Sequence, residues 1–351
     1  MAILSMLTLR RSLTLLALAA VAASAFLPGA RAVAQGGGDV IRLDPALDAI
    51  ISPDAKLETL VEDYFGGDEG PVWDKAAGHL LFSDQAANKI YRMTPDGTFS
   101  VHLENSGLTD FAALRGISPW DGNTGALLNN GRLMVVIAGS NGLAIDHQGR
   151  LIICQHGNRA LVRVGKDGTR TVLADRFEGK RLNGPNDLQV AKDGAIYFTD
   201  IGVMPGKELP AGFYRWKDGT LTRLHADFAG AFANGIALSP DERKLYVAVG
   251  RKIVQFDLNA AAGTVSNERV LVDMTAEKQP GQPDGFKVDL KGNLFFGGAG
   301  GLWITSPEGK HLGTIRNPRN TNMAVGGADG RDLYIMTFTG VRRIRLAVPA
   351  I

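Results

Sequence analysis

The sequence predicts an all-β protein, a six-bladed β-propeller, on three observations. One pattern of alternating residues, turn and apolar run recurs six times along the chain. The recurrences fall at the spacing of four short strands. No convincing helical periodicity appears after residues 1–34.

Residues 1–34 have the layout of an export signal rather than of a folded element. Arg10 and Arg11 precede an apolar run over 13–26, and small residues at Ala30, Ala32 and Ala34 offer two signal-peptidase sites. The run is shorter than the ~20 apolar residues a spanning helix needs, so no stable membrane insertion is expected after cleavage. Leu9 and Thr14 match a twin-arginine signal poorly, which favours plain secretion while leaving both routes open. The mature protein is therefore expected in the periplasm or outside the cell. Residues 35–56 follow as an N-terminal extension, and residues 57–346 as the propeller.

The six repeats are EGPVWDKAAGHLLFSD from Glu69, NGLAIDHQGRLIIC from Asn141, NDLQVAKDGAIYFTD from Asn186, NGIALSPDERKLYVA from Asn234, DGFKVDLKGNLFF from Asp284 and NMAVGGADGRDLYI from Asn322. In each, alternation followed by a turn and an apolar run describes a β-hairpin. Asp193-Gly194, Gln148-Gly149, Lys291-Gly292 and Asp329-Gly330 supply the turn chemistry. Asp96-Gly97, Asp167-Gly168 and Asp218-Gly219 fall where outer hairpins would close. The lead residues are separated by 72, 45, 48, 50 and 38 positions, against about 40–50 for a four-stranded blade. The long first interval leaves room for an insertion at 105–130. A β-sandwich would explain the strands but not the six-fold period.

Composition sets limits. The chain has 351 residues, 21% charged and 45% hydrophobic, and a net charge of +2, so neither nucleic acid nor a membrane surface is an expected partner. The single cysteine, Cys154, excludes an intrachain disulfide and ends an apolar run, as a buried thiol would.

In a propeller the first strand of each blade lines a central channel, which would gather Glu69, Asn141, Asn186, Asn234, Asp284 and Asn322 into a ring at one mouth. All six carry a side-chain oxygen. Carboxylate and amide oxygens are hard ligands, suited to one divalent cation, Ca²⁺ first, with Mg²⁺, Mn²⁺ or Zn²⁺ as alternatives. The competing account is that Asn and Asp before Gly only form turns. Glu69 and the repetition of one slot in six repeats argue against it.

Several of these stretches are similar to signatures of the SMP-30/gluconolactonase family, in order. They are Glu69-Gly70-Pro71-Val72-Trp73, Cys154-Gln155-His156-Gly157-Asn158-Arg159, Pro185-Asn186-Asp187-Leu188, Tyr197-Phe198-Thr199-Asp200, Ala233-Asn234-Gly235, Pro283-Asp284-Gly285 and Thr321-Asn322-Met323-Ala324. The resemblance spans residues 57–346. It implies a six-bladed propeller with one divalent cation held by Glu69, Asn234 and Asp284. Asn186 would complete the shell or contact substrate, and Asp284 would act as general base in lactone hydrolysis, sugar lactones above all. Gln155 departs from the resemblance, standing where Glu often precedes the His-Gly-Asn-Arg run. Substrate contacts are expected from Asn186, Asn141, His156 and Arg159. For His156 the competing role is fixing its own turn; Asp187 and Asp200 are expected as buried acceptors, and Trp73 as core.

The chemistry is consistent with that expectation, because a cation can polarise a lactone carbonyl and activate water. No Gly-x-Ser-x-Gly elbow is present for a serine hydrolase. The alternatives are a broader lactonase or organophosphate-ester hydrolase, a strictosidine-synthase-like propeller, and a non-catalytic binding propeller. The two carboxylates among the ring asparagines favour hydrolysis.

Overall fold

The structure, a computed structural model, describes residues 39–110, 126–129, 132–135, 139–201, 207–226, 228–317 and 319–350. The export signal expected at 1–34 and the centre of the 105–130 insertion lie outside the described residues. No helix among the described residues is long and apolar enough to cross a membrane.

Six antiparallel sheets form the blades. Blade one runs Asp68–Asp74, His79–Asp84, Lys89–Met93 and Phe99–Glu104; blade two Ser140–Ile145, Leu151–Gln155, Ala160–Val164 and Arg170–Ala174. Blade three runs Pro185–Val190, Ile196–Asp200, Gly212–Lys217 and Thr220–Ala226; blade four Ala233–Leu238, Lys244–Val249, Lys252–Asn259 and Thr264–Asp273. In each, strands follow one another from the channel outward. A short hairpin, Ala126–Asn129 against Arg132–Val135, lies in the long interval between blades one and two.

Blades five and six borrow strands from the N-terminus. Blade five runs Phe286–Val288, Leu294–Gly298, Gly301–Thr305 and His311–Arg316, and Val40–Arg42 adds a fifth, outermost strand. Blade six has Met323–Gly326, Asp332–Met336 and Val341–Arg345, and its fourth strand is Leu57–Val61, paired Leu57 to Ile344. The two ends of the propeller are thus hydrogen-bonded into one sheet, which closes the ring. Between the borrowed strands, the short 3₁₀ turn Pro45–Ala49 is capped by Asp44 and drops Leu47 into the core.

The hydrophobic core follows the blades. Among the described residues, each of six apolar clusters lies between two neighbouring sheets, including one that joins blade six to blade one through Phe65, Phe82, Tyr91, Tyr334 and Met336. Strands buried on both faces need apolar side chains on both, which is why the second strands read as continuous runs such as Leu151-Ile152-Ile153. Cys154 belongs to the cluster between blades two and three, and burial pushes its thiol pKa well up, as fits an inert core residue.

The innermost strands approach one another very closely. In four repeats glycine follows the lead residue. At Gly142 a Cβ would stand 2.6 Å from the Asn186 carbonyl oxygen. At Gly235 it would overlap the Asp284 carbonyl, at Gly70 the Asn141 backbone and at Gly285 the Asn322 side chain. Hydroxyls tie the same seam. Ser83 Oγ donates to the Asn141 carbonyl at 2.7 Å, Thr199 Oγ1 to the Asn234 carbonyl at 2.5 Å, and Thr321 Oγ1 to the Asp68 carbonyl at 2.6 Å. The Asn-Gly and Asp-Gly pairs of the lead positions are therefore not turns. They sit in the first residues of their strands or just ahead of them, and glycine is required because the neighbouring blade stands where a Cβ would be.

Gly235→Ala is expected to lower stability by about 1–3 kcal/mol or more, because the opposing atom is backbone and cannot rotate away. Urea unfolding measures it. A midpoint equal to that of the unaltered protein would overturn the close approach of blades four and five.

Candidate active site

Each inner strand starts at the same end of the channel, and the lead residues stand at those starts. Glu69, Asn141, Asn186 and Asn234 are each the second residue of their strand, while Asp284 and Asn322 lie just ahead of theirs. In blades one, three and four the strand pairing slips at the lead residue, between Glu69 and Val72, Pro185 and Leu188, and Ala233 and Ile236. Such bulges re-aim a side chain out of the regular alternation. Glu69, Asn141, Asn186, Asn234 and Asn322 are all buried, and Asp284 is half-buried at the lip of a cleft.

The structure brings Glu69, Asn234 and Asp284 together. The Asn234 side chain lies close enough to the Asp284 carboxyl to favour its ionised form. Burial, then the negative charges of Asp284 and Asp187, push the Glu69 pKa well above the carboxylate range. Burial, then Asp187, also pushes Asp284 up, opposed by the Arg319 guanidinium, the Gly285 N–H and Asn234. Two carboxyls from blades one and five therefore share a buried volume in which ionising both is unfavourable without a positive charge. Among the described residues no group of three His, Cys, Asp or Glu side chains converges. The oxygen set here is two carboxylates and an amide.

Asn186 and His156 form a second pair: Asn186 Nδ2 stands 3.5 Å from His156 Nε2. The His156 ring does not fix its own turn. That turn is closed by the Arg159 N–H donating to the His156 carbonyl at 3.1 Å, and by Asn158 Nδ2 donating to Gln155 Oε1 at 3.0 Å. The departure at Gln155 also has a structural reason. Its Nε2 donates to the Ser106 carbonyl at 2.7 Å, a bond a carboxylate could not make. Asn141 presents a buried Oδ1 with no partner among the described residues. Asn322 Oδ1 is already occupied, accepting from the Met323 N–H at 2.8 Å and Lys287 Nζ at 3.3 Å.

Arg159 is held apart from the carboxylate pair. Its Nε donates to the Leu182 carbonyl at 2.6 Å, and the charges that act on it are Arg181, Asp200 and Glu208. Asp200 accepts from the N–H groups of Asn183 and Gly184 and pins the loop into blade three. Asp187 accepts from Leu188 and Ile236, tying blade three to blade four, and its negative charge reaches both Glu69 and Asp284. Trp73, expected as core, is partly buried and stacks on Tyr334 at 5.7 Å, at the edge of the cluster between blades six and one.

A cleft of about 360 Å³ opens beside Asp284, lined by Arg251, Gln282, Asn317, Arg319 and Asn320. Sequence reasoning missed all five. They sit in connections between strands, where no repeat marks them.

The fold and this mouth define a six-bladed propeller whose polar site is carried on the starts of its inner strands. The chain belongs to the SMP-30/gluconolactonase/LRE-like family, whose model matches residues 68–339. It is 32% identical to a gluconolactonase of Zymomonas mobilis, over 93% of each chain, and 25% identical to regucalcin of Xenopus laevis, over 80% of this chain and 86% of that one. Among solved structures, a gluconolactonase of Xanthomonas campestris superposes with a TM-score of 0.71 at 31% identity, covering 88% of this chain and 94% of that one.

Burial lowers the His156 pKa from 6.5 to about 4. Because the unfolded chain takes up the proton first, stability is expected to fall as pH drops from about 6.5 to 4, by up to about 3 kcal/mol. His156→Gln removes that contribution, so its acid loss in denaturant melts should be shallower than that of the unaltered protein. Parallel pH profiles would show that His156 is not buried in its neutral form.

Proposed function

We propose that this protein is an exported hydrolase that opens a sugar lactone to its hydroxy acid, with one divalent cation held by Glu69, Asn234 and Asp284. The observation that carries this reading is the convergence of those three oxygen donors in a buried mouth where the two carboxyls disfavour each other's ionisation. The likeness to two gluconolactonases above 30% identity supports the substrate class. The donor set fits a hard cation, Ca²⁺ first, since every ligand atom is oxygen and two carboxylates match its charge. Residues 1–34 support export.

When bound, the cation supplies Lewis acidity toward the lactone carbonyl. The chain's own residues do the rest. Asp284 lines the cleft and takes a proton from the attacking water. Asn186 contacts the substrate, and His156 orients its amide. The unpartnered Oδ1 of Asn141 accepts a substrate hydroxyl. Water attacks the carbonyl carbon as Asp284 takes its proton, the ring C–O bond breaks, and Asp284 returns that proton to the ring oxygen, which leaves as the alcohol of the hydroxy acid.

Two outcomes follow. Chelator treatment should abolish gluconolactone turnover above the spontaneous rate, and added Ca²⁺, Mg²⁺, Mn²⁺ or Zn²⁺ should restore it; full activity in metal-free protein would sink the mechanism. Asp284→Asn should fold, bind metal more weakly, and at saturating metal still turn over about 10²- to 10⁴-fold more slowly. If metal alone restores the rate, Asp284 is a ligand only and the base lies elsewhere.

A further inference from the structure

The cleft beside Asp284 carries more positive charge than lactone opening requires. Arg251 and Arg319 both line it, and Asp284 is its only acidic lining residue among the described residues. Neither arginine has an ion pair among the described residues. Arg251 lies in the turn between the second and third strands of blade four. Its Nε donates to the Met274 carbonyl at 3.0 Å and its Nη2 to the Glu277 carbonyl at 3.1 Å, which fixes the guanidinium without neutralising it.

Arg319 is held differently. Its guanidinium stands 3.7 Å from the centre of the Phe338 ring. Stacking on an aromatic face orients the cation and leaves the donors at its edge free. Phe338 has φ +76°, a conformation that costs a bulky residue energy and collects at ligand clamps. Its backbone is fixed there, the Phe338 carbonyl accepting from Gly67 at 2.7 Å and from Asp68 at 3.2 Å. The platform under Arg319 is thus anchored to the strand that carries Glu69. Asn317 braces the same loop. Its Nδ2 donates to Asn320 Oδ1 at 2.6 Å and to the Arg319 carbonyl at 3.3 Å, while its buried Oδ1 has no partner among the described residues. An unused acceptor beside two guanidinium groups that outnumber the one carboxylate of the cleft, Asp284, and form no ion pair among the described residues describes a site for a hydroxylated anion.

We infer that Arg319, with Arg251 on the same cleft, recognises a second acidic group on the substrate, so that the preferred lactone is an anion bearing a carboxylate or a phosphate away from the ring ester. This rests on the lactonase reading and narrows its substrate class. Arg319 is a specificity residue here, and Asn317 and Phe338 position it. A carboxylate and a phosphate present the same chemistry to a guanidinium fork, and they separate by substrate.

The test measures kcat/KM for gluconolactone, a glucaric acid monolactone and a phosphorylated gluconolactone, in the metal-loaded protein and in Arg319→Gln and Arg319→Lys. Alongside, calorimetry follows binding of glucarate and of gluconate to the same proteins. The expected result is a ratio of charged to neutral kcat/KM of about 10 or more, falling about 10- to 100-fold in Arg319→Gln, the factor one charge-assisted hydrogen bond carries. Arg319→Lys should recover part of it, and raising the salt should compress it. Whichever charged lactone shows the larger ratio names the acidic group. Equal kcat/KM for neutral and charged lactones, unmoved by Arg319→Gln, overturns the inference and leaves the lactonase standing. If no lactone turns over but glucarate binds and requires Arg319, the lactonase reading falls and the anion site stands. Absence of both turnover and Arg319-dependent binding overturns both.

Discussion

The whole molecule depends on how closely its six inner strands approach around the channel. Backbone meets backbone at Gly142 and Gly235, and side chain meets glycine at Gly285. That contact allows no side chain at the positions following four lead residues. It also leaves the lead residue itself little freedom, because its carbonyl is held by the preceding blade through Ser83 or Thr199, and the Asp68 carbonyl is held likewise by Thr321. A ring that tight must be closed covalently or by hydrogen bonds. Here Leu57–Val61 completes blade six and Val40–Arg42 extends blade five, so the two ends of the propeller lock each other.

The tight ring also creates the electrostatics of the mouth. Bringing the starts of six strands together gathers Glu69 and Asp284 from different blades, and Asp187 adds a third negative charge. In water these groups would ionise independently. Enclosed, they penalise one another, and the site gains affinity for whatever positive charge enters it. Lys287 tempers Asp187: it lowers the pKa that burial otherwise raises, and bonds Asn322. Among the described residues Glu69 and Asp284 form no ion pair, and the Arg319 guanidinium, the Gly285 N–H and Asn234 temper Asp284. The division is between Asp187, which ties blade three to blade four, and the Glu69–Asp284 pair, left available for chemistry.

Much of this was legible in the chain. Repeats of alternation, turn and apolar run carried the blades, since each blade meets the same environment and so repeats the same pattern. The turn glycines at 149, 194, 292 and 330 do adopt positive φ. The lead residues were legible because one slot recurs six times. The local chemistry of Asn-Gly, which favours turns in isolation, offered a competing account that the recurring slot already opposed; in the fold the glycine answers to the next blade. His156 was open between a turn and the site, and its ring faces Asn186 while backbone bonds make the turn. Arg251, Asn317 and Arg319 carried no signal, because loops that line a cleft follow no period.

The sequence by itself determined the number of blades, their inner hairpins and the set of oxygen-bearing lead residues, because these depend on periodicity and local turn geometry, which are written within about fifteen consecutive residues. Only the tertiary structure decided which lead side chains meet. It paired Glu69 with Asp284 and Asn186 with His156, tied Asn322 to Lys287, and set Arg319 on Phe338 beside the mouth. The physical reason is that these contacts join residues from different blades or distant loops. Their distance is fixed by ring closure and strand bulges, and no local pattern in the chain encodes it.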